Sequence, residues 1–278
     1  MSPRSWLIVG HGSVGSSMAQ RIDAHGDRLL IYDPSPRVPI SIGRRLHHLE
    51  SDDGPVDYVL SCVPPAAARQ VPDLIAPMVH EDALLLEWNT VSPETKQAIA
   101  AACSCDMLDV ALLDSLDANG AQPRLAISGK QAEARRSLLE SLGFHVDIAG
   151  STPGDAALLK YARSIFMKSL EGLALEYFTL AAPIDRNLIA ANSLRNNLGE
   201  QTMEFLHLLV TTNRLHAVRR AAELADAVNV LEARGASLQV AKAVIPLLEH
   251  AARLWNESDA PGENATLDQL VAYLETRL

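Results

Sequence analysis

Basic residues are the minority among the charges of this 278-residue chain, with 24 Lys and Arg against 34 Asp and Glu and a formal charge of -10. A surface of that sign has no net pull toward nucleic acid or anionic lipid, so neither is expected as a partner. Cysteine is scarce and odd in number: Cys62, Cys103 and Cys105. That is no secreted disulfide framework, and it fits a reducing cytoplasm. The spacing of Cys103 and Cys105 is not that of a metal knuckle, and no second Cys/His cluster completes four ligands, so no metal is expected. Long apolar runs are missing too. Trp6 to Val9, before Gly10, is too short for a signal-peptide core, and no run reaches the roughly 18 apolar residues of a membrane span.

What remains is a soluble composition, 48% hydrophobic, enough for two domains with cores of their own. Short apolar or β-branched runs at 6–10, 28–33, 57–63, 83–89, 108–113, 124–128 and 145–149 alternate with helix-like stretches near 14–24, 66–79, 93–103 and 130–142. This alternation predicts an α/β unit over 1–150, a Rossmann-type doubly wound, mostly parallel sheet. Between Arg37 and Pro55 the pattern is ambiguous, and the run from Arg44 to Glu50 suits a strand or a short helix. After Gly150 the apolar period changes to three and four, which predicts an all-α domain over 151–278. It opens with one long helix near 155–181, behind Ser151 or Thr152 as cap and Pro153 in the first turn. Further helices are expected near 186–198, 200–212, 214–233, 237–255 and 265–277, with Pro246 as a possible kink and 256–265 as a linker.

Gly10, Gly12 and Gly15 form G-x-G-x-x-G directly after the first strand and at the start of a helix. In that setting each glycine has a mechanical task. The first makes the tight turn, the second lets backbone approach a pyrophosphate, and the third lets helix and strand pack closely. His11, Ser13 and Val14 complete the loop, and His11 reads as a packed side chain rather than a catalyst. Asp33 ends the second strand, 18 residues beyond Gly15, where a carboxylate accepts hydrogen bonds from the adenosine ribose. The expected cofactor is therefore NAD rather than NADP. A 2'-phosphate would meet like charge at Asp33, softened only by Arg37.

Four further segments, in order, resemble the β-hydroxyacid dehydrogenase family, which includes 3-hydroxyisobutyrate and 6-phosphogluconate dehydrogenases. They are VDYVLSCVPPAAA (56–68), EWNTVSPET (87–95), LDVALLDS (108–115) and GDAALLKYARS (154–164). The tail from 214 to 244 is similar to a prokaryotic branch of that family with a short helical C-terminal domain. The resemblance implies that Val63 and Pro64 pass under the nicotinamide ribose, that Asn89 lies in the motif beside the cofactor, and that Lys160 is the catalytic lysine, with Ser164 in place of the family's asparagine. It also implies a homodimer through the C-terminal helices. Where the family has Ser-Gly-Gly to hold a substrate carboxylate, this chain has Leu113, Asp114 and Ser115. Without the glycines the close backbone approach is lost, and Asp114 repels an anion.

The spacing supports Lys160 independently, because Lys160, Ser164 and Lys168 recur at i, i+4 and i+8 and share one helix face. A lysine of lowered pKa can take a proton from a substrate hydroxyl while hydride leaves. Arg163 and Lys168 are the candidates for an anionic group on the small-molecule substrate. The expected activity is NAD(P)-dependent transfer of hydride to or from a secondary alcohol or carbonyl, in a cleft between the domains. Imine reduction on the same scaffold and a non-catalytic nicotinamide-binding sensor are the alternatives.

Overall fold

The computed structural model describes residues 4–35, 39–50, 53–114, 116, 122–181, 189–262 and 264–278; Arg37 and Ser115 lie outside the described residues. The chain divides into two compact units, Met1–Lys160 and Tyr161–Leu278.

The first unit runs β1 (Ser5–Val9), α1 (Ser13–Asp23), β2 (Arg28–Tyr32), β3 (Arg44–Leu46), β4 (Val56–Ser61), then a 3-10 turn (Pro65–Gln70) leading into α2 (Val71–Ile75). It continues with β5 (Val79–Glu87), α3 (Pro93–Ala102), β6 (Asp106–Leu112), β7 (Arg124–Ser128), α4 (Ala132–Ser141) and β8 (His145–Gly150). The strands form one sheet in the order β3-β2-β1-β4-β5-β6-β7-β8. All neighbours are parallel except β6 and β7. Helices cover both faces, which is why the central strands are continuous apolar runs rather than alternating ones. Trp6 and Ile8 face a core with Met18 and Ile22 of α1 and Leu139 of α4. Leu7 and Val9 face the opposite core, with Val71 and Ile75 of α2 and Ile99 of α3. The ambiguous stretch after Arg37 resolves as the short edge strand β3, paired in parallel with β2. Its brevity and two arginines are common guards on an exposed sheet edge.

Helix α5 (Asp155–Ala181) has the bounds that its sequence predicts, and the unit boundary falls inside it, after Lys160. Asp109 Oδ2 accepts the amides of Gly154 and Ala157 at 3.0 Å, and Ser128 Oγ accepts that of Ala156 at 3.0 Å, so the first turns of α5 are fastened to β6 and β7. The second unit continues with α6 (Ile189–Leu198), α7 (Glu200–Glu232), α8 (Gln239–Leu254) and α9 (Leu267–Leu274). The two helices expected over 200–212 and 214–233 are one. Nothing between them breaks a helix, and the residue at the expected break, Asn213, is buried. Its amide donates to Glu171 Oε1 at 2.7 Å and its carbonyl accepts Trp255 Nε1 at 2.7 Å. Pro246 lies within α8, which continues to Leu254. Gly172 of α5 faces α8, where a Cβ would overlap Val244. Among the described residues no helix is long and apolar enough to cross a membrane.

Candidate active site

The order of strands reverses at the junction of β1 and β4, and the glycine loop sits at the carboxyl end of that pair, the crevice where open α/β sheets bind ligands. Gly10 has φ +94°, and a Cβ there would overlap the Cys62 carbonyl just past β4. A Cβ on Gly15 would overlap the Gly10 carbonyl, so strand end and helix start touch through glycine alone. Gly12 differs: nothing lies within 4 Å of a Cβ built on it, and it caps the N-terminus of α1 with no side-chain hydrogen bond. Its backbone and the first amides of α1 are open to an anion. Ser13 is exposed, whereas Val14 packs on the α1 face of the sheet.

Asp33 braces this loop. Its carboxylate accepts the His11 amide at 2.7 Å on one oxygen and the Ser35 amide at 2.8 Å on the other. A carboxylate with two such bonds retains lone pairs for hydroxyl donors. His11 is buried and its Nδ1 has no partner. Burial lowers its pKa against the pull of Asp33, and Arg45 lowers it further, which keeps the imidazole neutral near pH 7. Cys62 donates its S–H to the Gly10 carbonyl at 2.9 Å. Burial, with Asp33 and Glu87 adding, pushes that thiol up to about 12, so it remains a hydrogen-bond donor. Open glycine backbone, a helix N-terminus without a side-chain cap and a braced carboxylate together fit a dinucleotide.

Val63 and Pro64 follow β4 on the strand adjoining the loop, Pro64 exposed at the start of the 3-10 turn. Asn89 is buried just past β5, and its amide nitrogen donates to Ser61 Oγ at 3.0 Å and to Glu87. Beneath it lies a charged cluster that sequence reading missed. The Lys96 ammonium, 1% exposed, pairs with Glu87 and with Asp109 at 2.9 Å, and donates to the Glu87 carbonyl at 2.8 Å. Burial works to lower the Lys96 pKa, but Asp109 and Glu87 together hold it above its ordinary value. Burial also raises Glu87, in spite of Lys96. Ser92 caps α3 by accepting the Thr95 amide at 3.2 Å, which sets the helix direction that buries Lys96 one turn later.

Lys160 emerges from the fastened start of α5 and donates to Thr90 Oγ1 at 2.9 Å, beside Asn89. The structure thus joins Lys160 to the motif at 87–95. Thr90 was not singled out by sequence, although its place in that motif was a usable signal. Asp114 accepts the Arg124 amide at 3.0 Å, at the antiparallel turn between β6 and β7. Arg163, Ser164 and Lys168 belong to the second unit. Arg163 is exposed. Lys168 donates to Ser164 Oγ at 2.6 Å and pairs with Glu223 at 2.9 Å, so its charge already has a protein partner. Arg45, from β3, donates to the Ser35 carbonyl at 3.1 Å and places a cation near Asp33 and His11. No motif marks it, because β3 itself was ambiguous.

The fold with this site is that of dinucleotide-binding α/β proteins with a helical C-terminal unit. No family model matches the chain. A Methanothermus fervidus chain described as an uncharacterized 28.5 kDa protein in the 7S RNA 5' region is 27% identical over 171 residues, 61% of this chain. The match covers 66% of that relative, just under two thirds of its length. Among solved structures, a conserved hypothetical protein from Sinorhizobium meliloti aligns with TM-score 0.80 and 22% identity, over 100% of this chain and 98% of that one. A 3-hydroxyisobutyrate dehydrogenase from Mycobacterium tuberculosis aligns with TM-score 0.76 and 15% identity, over 98% and 99%. An imine reductase from Myxococcus stipitatus, solved with NAD+, aligns with TM-score 0.59 and 18% identity, over 98% and 99%. These likenesses establish the fold, and it is consistent with the β-hydroxyacid dehydrogenase resemblance that the four motifs carry.

Proposed function

We propose that the chain is a nicotinamide-dependent oxidoreductase of the β-hydroxyacid dehydrogenase type, acting on a secondary alcohol or its carbonyl. The observation that carries this reading is the glycine loop at the strand-order reversal, braced by Asp33. Gly12 and the first turn of α1 take the pyrophosphate, with His11, Ser13 and Val14 shaping the loop and Gly10 and Gly15 permitting it. Asp33 takes the ribose hydroxyls, which favours NAD. Arg45 offers a cation close by, so NADP retains a contact. Val63, Pro64 and Asn89 border the nicotinamide end.

When bound, the nicotinamide supplies the hydride acceptor or donor. The chain manages the proton. Lys160, oriented by Thr90, takes the hydroxyl proton in oxidation and returns it in reduction. Ser164, one turn along α5, accepts a hydrogen bond from Lys168 and keeps its own proton to donate to the substrate oxygen. Asp114 in place of glycine disfavours a carboxylate there, so the substrate is uncharged or amine-bearing at that end. The same replacement, together with the imine reductase fold likeness, favours imine reduction as the second reading.

The test is NADH and NADPH binding by calorimetry, followed by turnover with hydroxy compounds, carbonyls and imines. Lys160→Ala is expected to lower kcat about 10²–10⁴-fold with nucleotide affinity unchanged; undiminished turnover removes Lys160 from the mechanism. Tight NADH binding with a silent panel identifies a sensor, and no binding of either nucleotide refutes the proposal. We also propose a homodimer. Leu159, Phe166, Leu173 and Leu180 recur every seventh residue of α5 and are 44% to 74% exposed, an apolar seam that a second copy can cover. Sedimentation at the monomer mass refutes it.

A further inference from the structure

The three residues joining α3 to β6 are Cys103, Ser104 and Cys105, and the proposed function uses none of them. They lie at the amino end of β6, away from the carboxyl ends that carry the glycine loop. The two sulfurs are 3.3 Å apart, with Cys103 half-buried and Cys105 7% exposed. A disulfide needs about 2.05 Å, so closure asks for a movement of little more than 1 Å. The pair is also asymmetric. The hydrogen bond shared by the two sulfurs, aided by the amides of Cys105 and Ser104, brings the Cys103 thiol down to about 7 in spite of burial, while that same bond and burial raise Cys105. Cys62, pushed up to about 12 and committed to the Gly10 carbonyl, is an internal contrast.

We propose that Cys103 and Cys105 form a thiol–disulfide exchange site that takes a low-molecular-weight disulfide, with Cys103 as the attacking sulfur and Cys105 as the resolving one. The Cys103 thiolate attacks one sulfur of the small disulfide, whose S–S bond breaks to release one thiolate. Cys105 then gives its proton to that thiolate, and its sulfur displaces the second small thiolate from Cys103. Two electrons pass from the protein to the small disulfide, leaving a Cys103–Cys105 bond and two small thiols, one holding the Cys105 proton and the other the proton that Cys103 gave to water on ionising.

The probe is oxidised glutathione, added to the folded full-length chain near neutral pH, with alkylation and peptide mass mapping as the readout. In the wild type, the peptide spanning 103–105 is expected to lose two hydrogens and resist alkylation, while Cys62 remains a thiol. Cys105→Ser is expected to stop at one glutathione on Cys103, and Cys103→Ser to react about tenfold more slowly or not at all. Both thiols remaining alkylatable in treated wild type overturns the proposal. So does a lasting glutathione adduct in the wild type, or a Cys103→Ser variant that reacts at the wild-type rate. The wild-type map decides the matter even if a variant fails to fold.

Discussion

In the first unit two carboxylates, Glu87 and Asp109, share the single ammonium of Lys96; in the second, the carboxylate of Glu171 meets the guanidinium of Arg220 at 2.6 Å. Both clusters are buried, but they are built on different terms. The second is balanced, one charge against one, and its remaining valences go to Asn213 and through it to Trp255, inside the helical core. The first sets two carboxyl groups against one ammonium, and Asp109 also accepts Ser128 Oγ at 3.1 Å and the amides of Gly154 and Ala157. The difference separates a device that fixes helix register from one that fastens a sheet to the helix bearing the proposed catalytic lysine.

Lys96→Met breaks that contrast most severely, since it strands two buried carboxylates. We expect a loss of about 3–5 kcal/mol in denaturant unfolding, and a loss below about 1 kcal/mol would show that the cluster is not an ionic fastening. Arg220→Met is expected to cost less, about 2–3 kcal/mol, because Glu171 keeps the Asn213 amide and Arg220 is already 15% exposed. Replacing Glu171 and Arg220 together by Gln and Met, which keeps an acceptor for the Asn213 amide, should recover most of that loss. Gly10→Ala imposes a side chain at φ +94° against the Cys62 carbonyl. We expect on the order of 2 kcal/mol of destabilisation and a fall in NADH affinity of about tenfold or more. Unchanged affinity would detach the glycine loop from nucleotide binding.

The parts legible in sequence were those whose cause is local. The glycine loop, Asp33 and the whole of α5 are written in contiguous residues, with Gly154 before the helix and Pro183 after it. The first fastening was not legible, because Glu87, Lys96 and Asp109 lie on three segments. Lys96, in the run PETKQAIAAA, reads as an ordinary surface lysine on a short helix. Only the sheet order brings the ends of β5 and β6 together beneath it. The continuity of α7, expected as two helices over 200–212 and 214–233, also depends on distant residues: the hydroxyls of Thr211 and Thr212 fold back onto the carbonyls of His207 and Leu208, and Asn213 is satisfied by α5 and by Trp255.

The smallest effect is the most discriminating, because Glu87 and Glu223 should respond to acid with opposite sign. Glu87 is raised from 4.5 by burial in spite of Lys96, so the folded chain holds that proton more tightly than the unfolded one. Its contribution is therefore greatest below pH 4.5 and declines as pH rises through the folded value. In the second unit burial works to raise Glu223, but Lys168 and Arg219 overcome it and hold the carboxyl below 4.5. Its contribution is present above 4.5 and is lost as pH falls through the folded value. Stabilities of wild type, Glu87→Gln and Glu223→Gln, measured by denaturant from acid to neutral pH, should then diverge. Relative to wild type, Glu87→Gln gains stability as pH climbs above 4.5, whereas Glu223→Gln loses it as pH climbs toward 4.5 from below. Parallel slopes for the two variants would mean that Lys96 offsets the burial of Glu87 as fully as Lys168 and Arg219 offset that of Glu223, and the opposite response of the two carboxyl groups would fall.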